Sequence, residues 1–183
     1  MKKIILALYL FFTSLFLQAQ KIIPFYGPFP EPAPTKNMLF YLQRTVDRNT
    51  IIYEVNLDPS GEINMKKPIK IYWIDFDDGA KISPLTFVQS KFAYGINSEL
   101  IDESKKIIEL TLVSYKKIKL YLKQEEKSNH YQVHAVIKGK TAILSRIFVE
   151  IIGGTYLNPV VNYIELSGND QATGKPVAEK FKP

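Results

Sequence analysis

Short runs of alternating apolar and polar residues, rich in β-branched and aromatic side chains, make up most of the chain after Lys36. In residues 50–57, Ile51, Tyr53 and Val55 fall on one face of an extended strand and the intervening residues on the other. Such runs, separated by turn residues, are typical of antiparallel sheets. We therefore predict an all-β fold, an antiparallel sandwich or flattened barrel of about eight or nine strands with one short helix.

The same alternation predicts strands at residues 38–44, 50–57, 69–76, 107–113, 118–123, 131–137, 141–152, 160–166 and 177–181. The run 141–152 is expected to bend, because apolar residues occur on both of its faces. Helical spacing occurs at residues 84–93, where Ser83 is a suitable cap and Pro84 suits the first helical position. Because strands and helices do not alternate, the pattern argues against a nucleotide-binding parallel sheet.

The N-terminus has the features of a secretory signal peptide. Lys2 and Lys3 precede 14 apolar-rich residues, 4–17, and Ala19 supplies the small residue of a cleavage site. As a helix this run would reach about 21 Å, short of the roughly 30 Å hydrocarbon core of a bilayer. We predict cleavage after Ala19, export to the periplasm or the medium, and no transmembrane anchor after cleavage; an uncleaved N-terminal anchor is the alternative.

Prolines dominate the segment that follows the signal. Five of the 11 prolines lie in residues 23–34, which therefore lack donors for a strand ladder and the backbone freedom for a helix. We call residues 20–35 the leader and predict three parts of the chain: signal 1–19, leader 20–35 and a single β-rich domain 36–183. A spacer is the preferred interpretation of the leader. The alternative is a docking strap whose Phe25, Tyr26 and Phe29 cover an apolar groove.

Composition narrows the classes of function. The chain has no cysteine, which excludes disulfides, thiolate metal sites and a cysteine nucleophile. Its formal charge of +6 falls to +4 once Lys2 and Lys3 are removed, an ordinary value for a small secreted domain. We therefore expect a monomer that does not bind nucleic acid and whose partner is an envelope ligand or an envelope protein of unknown identity.

Two features resemble metal sites but lack the required spacing. His130 and His134 alternate with apolar residues in a predicted strand, so they would lie about 13 Å apart and face solvent. In segment 75–79 the glycine follows the acidic residues one position too early for a calcium-binding loop, so a turn is preferred. Phosphate-binding glycine motifs are absent from the sequence. We predict no metal and no cofactor, and assign no catalytic residue.

One candidate binding surface follows the predicted strand 118–123 and the residues before it. Alternation places on one face a cationic and aromatic stripe, which consists of Tyr115, Lys117, Lys119, Tyr121 and Lys123. Such a stripe can hold an anionic sugar or a lipid head group. The other interpretation is the solvated side of a sheet, where lysines discourage edge pairing.

A second candidate group comes from three strands that are expected to be neighbours. Its members are Tyr41, Arg44, Tyr53, Glu54, Tyr72 and Trp73. Antiparallel order would allow Arg44 to pair with Glu54. If the pair points inward, it forms a pocket ringed by aromatic side chains; if it points outward, it is a surface salt bridge that contributes little.

Several blocks of residues, in order along the chain, carry a resemblance to a known family. These blocks are 39–41 (Leu-Phe-Tyr), 43–44 (Gln-Arg), 49–54 (Asn-Thr-Ile-Ile-Tyr-Glu), 72–74 (Tyr-Trp-Ile), 91–95 (Lys-Phe-Ala-Tyr-Gly) and 113–117 (Val-Ser-Tyr-Lys-Lys). The chain resembles the uncharacterised bacterial family called domain of unknown function 4833, from about Lys36 to the C-terminus. The resemblance implies export and a single domain, and it implies no activity, cofactor or catalytic residue.

Together these features favour a non-catalytic binding or structural module of the cell envelope. A ligand would bind near Tyr53 and Trp73 or along the cationic and aromatic stripe, which we call the lysine stripe. The alternative is a hydrolase or lyase that acts on an envelope polymer and uses Tyr94, Arg44 and Glu54, because histidine is so scarce.

Overall fold

The computed structural model describes residues 20–125, 130–156 and 158–183, so the predicted signal 1–19 lies outside the described residues. A 3₁₀ turn occupies Phe76–Asp78, and the one α-helix in the described part, α1, spans Phe87–Phe92. The described strands are β1 (Met38–Arg44), β2 (Thr50–Val55), β3 (Ile69–Asp75), β4 (Lys81–Pro84), β5 (Ile96–Asp102), β6 (Ile107–Leu112), β7 (Tyr115–Gln124), β8 (Tyr131–Ile137), β9 (Lys140–Thr155), β10 (Asn158–Asp170) and β11 (Pro176–Phe181).

All eleven described strands belong to one curled, mixed sheet. Nine of them follow the order β4-β3-β2-β1-β9-β8-β7-β6-β5, while β10 pairs with β9 and with β11. The pair β1–β9 is parallel and the others are antiparallel. The predicted all-β fold with one short helix is confirmed. Within the described part, no helix is long and apolar enough to cross a membrane.

The long strand β9 joins two wings of the sheet. Along one edge of β9, β8 pairs with residues 140–143 and β1 pairs with residues 146–149. The other edge is taken by β10, which pairs with residues 142–155. The wing β1–β4 and the wing β5–β8 therefore leave β9 from the same edge, and α1 lies in the segment that connects their outermost strands.

One hydrophobic core lies between the two wings. The first wing contributes Phe40, Leu42, Ile51, Tyr53 and Trp73, and the second contributes Leu110, Leu112, Leu120, Leu122 and Val133. The predicted apolar face of residues 50–57 is part of this core, because Ile51, Tyr53 and Val55 are all buried. Burial of each such side chain stabilises the fold by about 1.5–3 kcal/mol.

The leader packs against the outer face of β1 and β9. The Ile22 N–H donates to the Gly154 carbonyl at 3.0 Å, and the Phe29 ring lies 5.1 Å from the Phe148 ring. The neighbouring outer-face residue Ile52 is only 1% exposed. The described leader residues thus make contacts expected of the docking strap through Phe25 and Phe29, whereas the Tyr26 side chain, 72% exposed, covers no groove.

The helix is shorter than predicted. It begins after Thr86, whose hydroxyl accepts from the Gln89 N–H, while the Gln89 side chain accepts from the Thr86 N–H. This capping box starts the helix three residues later than the predicted Ser83 cap. The residues before it form β4, which pairs with β3, and strand pairing takes precedence over the local helical signal at Pro84.

Candidate functional site

Four polar and aromatic side chains meet at the end of β1. Arg44 is the last residue of β1 and Trp73 belongs to β3, while Asp47 lies in the turn between β1 and β2 and Tyr94 follows α1. We call this group the Arg44 cluster. Alternation along β1 directs Arg44 to the same face as the core residues Phe40 and Leu42.

The guanidinium of Arg44 is enclosed by aromatic rings and one carboxylate. Its Cζ lies 4.4 Å from the Trp73 ring centre and 5.0 Å from the Tyr94 ring centre. The two rings meet edge to face, with their centres 5.2 Å apart. Arg44 Nη2 donates to Asp47 Oδ2 at 2.8 Å, and the arginine is only 6% exposed. Cation–π contact and an ion pair together hold the charged plane in one orientation.

Hydrogen bonds to neighbouring elements hold the Trp73 ring and the backbone of Tyr94. Trp73 Nε1 donates to Gln89 Oε1 at 3.2 Å, so the helix cap also positions the indole. The Tyr53 hydroxyl, which is fully buried, donates to the Tyr94 carbonyl at 2.9 Å. These contacts join β2, β3 and α1 around Arg44.

One nitrogen of this guanidinium has no hydrogen-bond partner. Arg44 Nη1 is shielded from solvent and finds no acceptor among the described residues. A buried donor without a partner costs about 1–3 kcal/mol, more when it is charged. The cluster therefore offers an unused, charged donor to any acceptor that enters it. The side chain of Asp47, the carboxylate paired with Arg44 Nη2, is 26% exposed.

Burial sets the protonation of the cluster. Desolvation raises the pKa of the Asp47 carboxyl, and the positive charge of Arg44 opposes that rise without cancelling it. Burial likewise raises the pKa of the Tyr94 phenol and of the Tyr53 phenol, so both remain neutral donors at ordinary pH. At neutral pH the cluster contains a paired cation and anion flanked by neutral rings.

The predicted Arg44–Glu54 pair was wrong. Glu54 lies opposite Met38, at the other end of β1 from Arg44, which places the two about 20 Å apart along the strand. Instead, Glu54 accepts from the Thr35 hydroxyl at 2.6 Å and from the Tyr72 hydroxyl at 2.8 Å. In an antiparallel hairpin only residues equally distant from the turn pair, and Glu54 is too far from the turn.

Tyr41 also lies outside the Arg44 cluster. It alternates with Phe40 and Leu42 and so occupies the outer face of β1, where it pairs in register with Arg146 of β9. Burial raises the pKa of the Tyr41 phenol, and the positive charge of Arg146 partly offsets that rise. Of the predicted group, the structure therefore brings together Arg44, Tyr53 and Trp73, and it places with them Tyr94, the residue predicted separately as a candidate.

The lysine stripe on β7 is only partly assembled. Lys119 Nζ lies 3.0 Å from a carboxylate oxygen of Glu109, so its charge is paired. Lys117 is exposed, and its Nζ lies 5.6 Å from the Tyr115 ring centre. Tyr115 packs against the core instead of sharing the outward face, because the β6–β7 register shifts between Leu110 and Leu112. Tyr121 and Lys123 are half-buried.

The two histidines differ in environment. His130 is exposed, whereas His134 is buried, so the prediction that both face solvent was wrong for His134. His134 lies on β8 between β7 and β9, and burial lowers the pKa of its imidazole. Asp75 caps the 3₁₀ turn by accepting from the Asp77 and Asp78 N–H groups. Among the described residues, no group of three His, Cys, Asp or Glu side chains is placed to hold a metal ion.

Two members of the site were missed by sequence reasoning. Asp47 follows Arg44 by three residues in a turn, and that spacing with opposite charge was a usable signal. Gln89 was not detectable, because its contact with Trp73 depends on how α1 packs against β3.

Comparison with known proteins gives a family and no activity. No curated protein and no solved structure matches the chain. One family model, described as a domain of unknown function (DUF4833), matches residues 40–180. The matched region contains the whole Arg44 cluster and the lysine stripe, and the whole leader lies before it. Since this match covers most of the chain, the protein belongs to the DUF4833 family.

Proposed function

We propose that this protein is a non-catalytic binding module of the cell envelope, and that it recognises an anionic group, a carboxylate or a phosphate, at the Arg44 cluster. The observation that carries the proposal is the buried Arg44 guanidinium, whose Nη1 has no acceptor among the described residues. A buried charge with an unused donor is costly for stability alone, and a binding role accounts for its presence.

The geometry suits an oxyanion. A guanidinium presents its N–H groups in one plane and binds carboxylate or phosphate through two parallel hydrogen bonds. The Trp73 and Tyr94 rings hold that plane in place, so little side-chain entropy is lost on binding. The partly exposed Asp47 side chain marks the side from which a ligand approaches.

Export is part of the same proposal. It is supported by the basic residues Lys2 and Lys3, the apolar run 4–17 and the small residue Ala19. Expression of the full chain in a bacterial host, followed by cell fractionation and mass spectrometry, tests it. We expect a processed protein outside the cytoplasm that begins at Gln20. Recovery of an unprocessed chain from the cytoplasm would contradict export.

Trp73 makes the binding test direct, because it is the single tryptophan of the chain and lies in contact with Arg44. Its fluorescence is followed while inorganic phosphate, trigalacturonate or phosphatidylglycerol vesicles are added. We expect saturable quenching or enhancement by at least one probe. The response to each probe separates a free phosphate, a sugar carboxylate and a lipid phosphate.

Two matched variants localise the response. Arg44→Lys keeps the charge and loses the planar donor pair, so it should weaken binding about tenfold or more. Arg146 is a second arginine with a buried nitrogen, Nε, that has no partner among the described residues, but it lies on the outer face, where its Cζ is 4.6 Å from the Phe148 ring centre. Arg146→Lys should therefore leave binding within about twofold if the site is the Arg44 cluster. Absence of any saturable response, or equal losses in both variants, would refute the anion site and favour a purely structural module.

The geometry argues against the hydrolase or lyase alternative. Arg44 and Tyr94 are in contact, but Glu54, the third group of that hypothesis, belongs to the other end of the hairpin. A catalytic acid and base must both reach one substrate bond. The enzymatic hypothesis would return if the purified protein shortened an envelope polysaccharide and Tyr94→Phe abolished that activity.

A further inference from the structure

The leader and the Arg44 cluster lie on opposite sides of residues 43–45, at the end of β1. Alternation along β1 sends Arg44 to the inner face and Gln43 to the outer face, while Thr45 follows the strand end. The leader contacts both neighbours of Arg44. Gln43 Nε2 donates to the Pro30 carbonyl at 2.7 Å, and the Phe25 N–H donates to the Thr45 carbonyl at 2.7 Å.

These contacts add to hydrogen bonds with β9 that already hold the end of β1: the Thr45 N–H donates to the Val149 carbonyl at 3.2 Å, and the Ile151 N–H donates to the Thr45 hydroxyl at 2.7 Å. β1 ends at Arg44, and a turn follows it directly. Gln43 is 1% exposed, and its Nε2 also donates to the Thr50 hydroxyl of β2 at 2.9 Å. The Thr45 hydroxyl donates to the Ile151 carbonyl of β9 at 2.6 Å. The leader thus completes a bonded frame around the backbone from which the guanidinium projects.

Apolar contacts keep the leader in place. The Phe25 and Phe29 rings lie 5.4 Å apart, and Phe29 lies 5.1 Å from the Phe148 ring of β9. Ile22 is 3% exposed and is hydrogen-bonded to the β9–β10 hairpin at Gly154. Loss of the Phe29 contact would expose apolar surface and free the leader to leave the outer face.

We propose that the leader is a positioning strap for the anion site: its docking on the outer face orders the end of β1, and anion binding to Arg44 on the inner face in turn tightens the strap. The proposal rests on the binding function proposed above and adds the means by which that site is regulated. Coupling of this kind is reciprocal, because each event favours the same ordered state of residues 43–45.

The first test uses the unaltered protein. Hydrogen exchange of the Phe25 amide is measured by NMR without a probe and with saturating inorganic phosphate or trigalacturonate. We expect the bound anion to slow exchange at Phe25 about fivefold or more. An unchanged rate with the site saturated would overturn the coupling and leave the binding function intact. If neither probe binds, the proposed function fails and the coupling fails with it.

The second test loosens the strap far from Arg44. Phe29→Ala removes the ring contact with Phe148, and we expect faster exchange at Phe25 and about five- to tenfold weaker anion binding, read from Trp73 fluorescence. Phe181→Ala is the matched control, because it removes a ring stacked on Tyr115 in the other wing and should alter neither quantity more than about twofold. Faster exchange with unchanged affinity, or equal losses in both variants, would overturn the proposal.

Discussion

At the scale of single residues, charge and burial explain how the Arg44 cluster would respond to pH. Asp47 both pairs with Arg44 and repels an incoming anion. Its raised pKa means that the carboxyl takes up a proton at a higher pH than an exposed aspartate would. Protonation frees the arginine from its counter-charge, so an anion would then meet a net positive site.

We therefore predict that Asp47→Asn strengthens anion binding about threefold to tenfold at neutral pH. In the unaltered protein, affinity should rise as the pH falls toward the raised pKa of Asp47, and the variant should lack that rise. Titrations of Trp73 fluorescence at several pH values measure both effects. Asp78→Asn, in an exposed ion pair with Lys81, is the control. Weaker binding by Asp47→Asn would contradict this account of the site.

His134 gives the fold a second dependence on pH. Its imidazole is buried, Nδ1 has no partner among the described residues, and desolvation lowers its pKa below the ordinary value of 6.5. The folded state thus prefers the neutral form. The stability that depends on this preference is fully present above pH 6.5 and is lost as the pH falls through the lower pKa of the folded state.

We predict that His134→Gln reduces the loss of stability between pH 7 and pH 5, because glutamine does not take up a proton there. Urea unfolding at both pH values measures the difference. His130→Gln, at an exposed position four residues earlier in the chain, is the control and should lose as much stability between pH 7 and pH 5 as the unaltered protein. Equal slopes in all three proteins would show that His134 is not the group responsible.

At the scale of elements, the long β9–β10 hairpin depends on close backbone approach. The pairing register between the strands shifts at three places, and irregularities of this kind are a usual cause of the bend that we predict for residues 141–152. At one of these shifts, beside Gly168, a Cβ would lie 2.1 Å from the Ile143 carbonyl oxygen. Only glycine fits that position without moving the backbone of β9.

Gly168→Ala should accordingly lower the free energy of unfolding by about 2 kcal/mol or more. Gly153→Ala is a matched control in the same hairpin, because a Cβ there would meet no atom within 4 Å. That variant should remain within about 0.5 kcal/mol of the unaltered protein. Chemical denaturation of the three proteins tests the difference, and similar losses in both variants would contradict a specific contact at Gly168.

At the scale of the whole molecule, a polar contact reaches from the first wing to the segment that leads into the second. The Tyr53 hydroxyl, on β2, donates to the carbonyl of Tyr94, which directly precedes the second wing. Phe40 stacks on the Tyr53 ring with centres 4.4 Å apart, so the ring itself is held by packing. The hydroxyl therefore contributes a link between the wings that is separable from the burial of the ring.

Removal of that hydroxyl by Tyr53→Phe should destabilise the fold by about 1–2 kcal/mol, because the Tyr94 carbonyl loses its donor. It should also weaken anion binding modestly, about twofold to threefold, since Tyr94 packs on Arg44. Tyr121→Phe, on the outward face of β7, is the control and should change neither property. Thermal unfolding and Trp73 fluorescence provide the two measurements. An unchanged unfolding temperature would contradict the role assigned to the hydroxyl.

Alternation of side chains along the chain was enough to predict the all-β fold and the apolar face of β2. It was enough because the period of two is a property of each strand alone. The strands β4 and β5 were missed, since their residues are largely exposed and lack an apolar face. A helix cap is likewise a local signal. The predicted helix start at Ser83 was wrong because residues 81–84 pair with β3 as a strand.

The sequence by itself determined the class of fold, the composition that excludes cysteine chemistry, and the aromatic and charged residues available for binding. Only the tertiary structure decided that Arg44 pairs with Asp47 instead of Glu54, that the leader covers the outer face, and that Tyr94 joins Trp73 around the guanidinium. The physical reason is that register and packing depend on residues far apart in the chain, and no local pattern records which of them will meet.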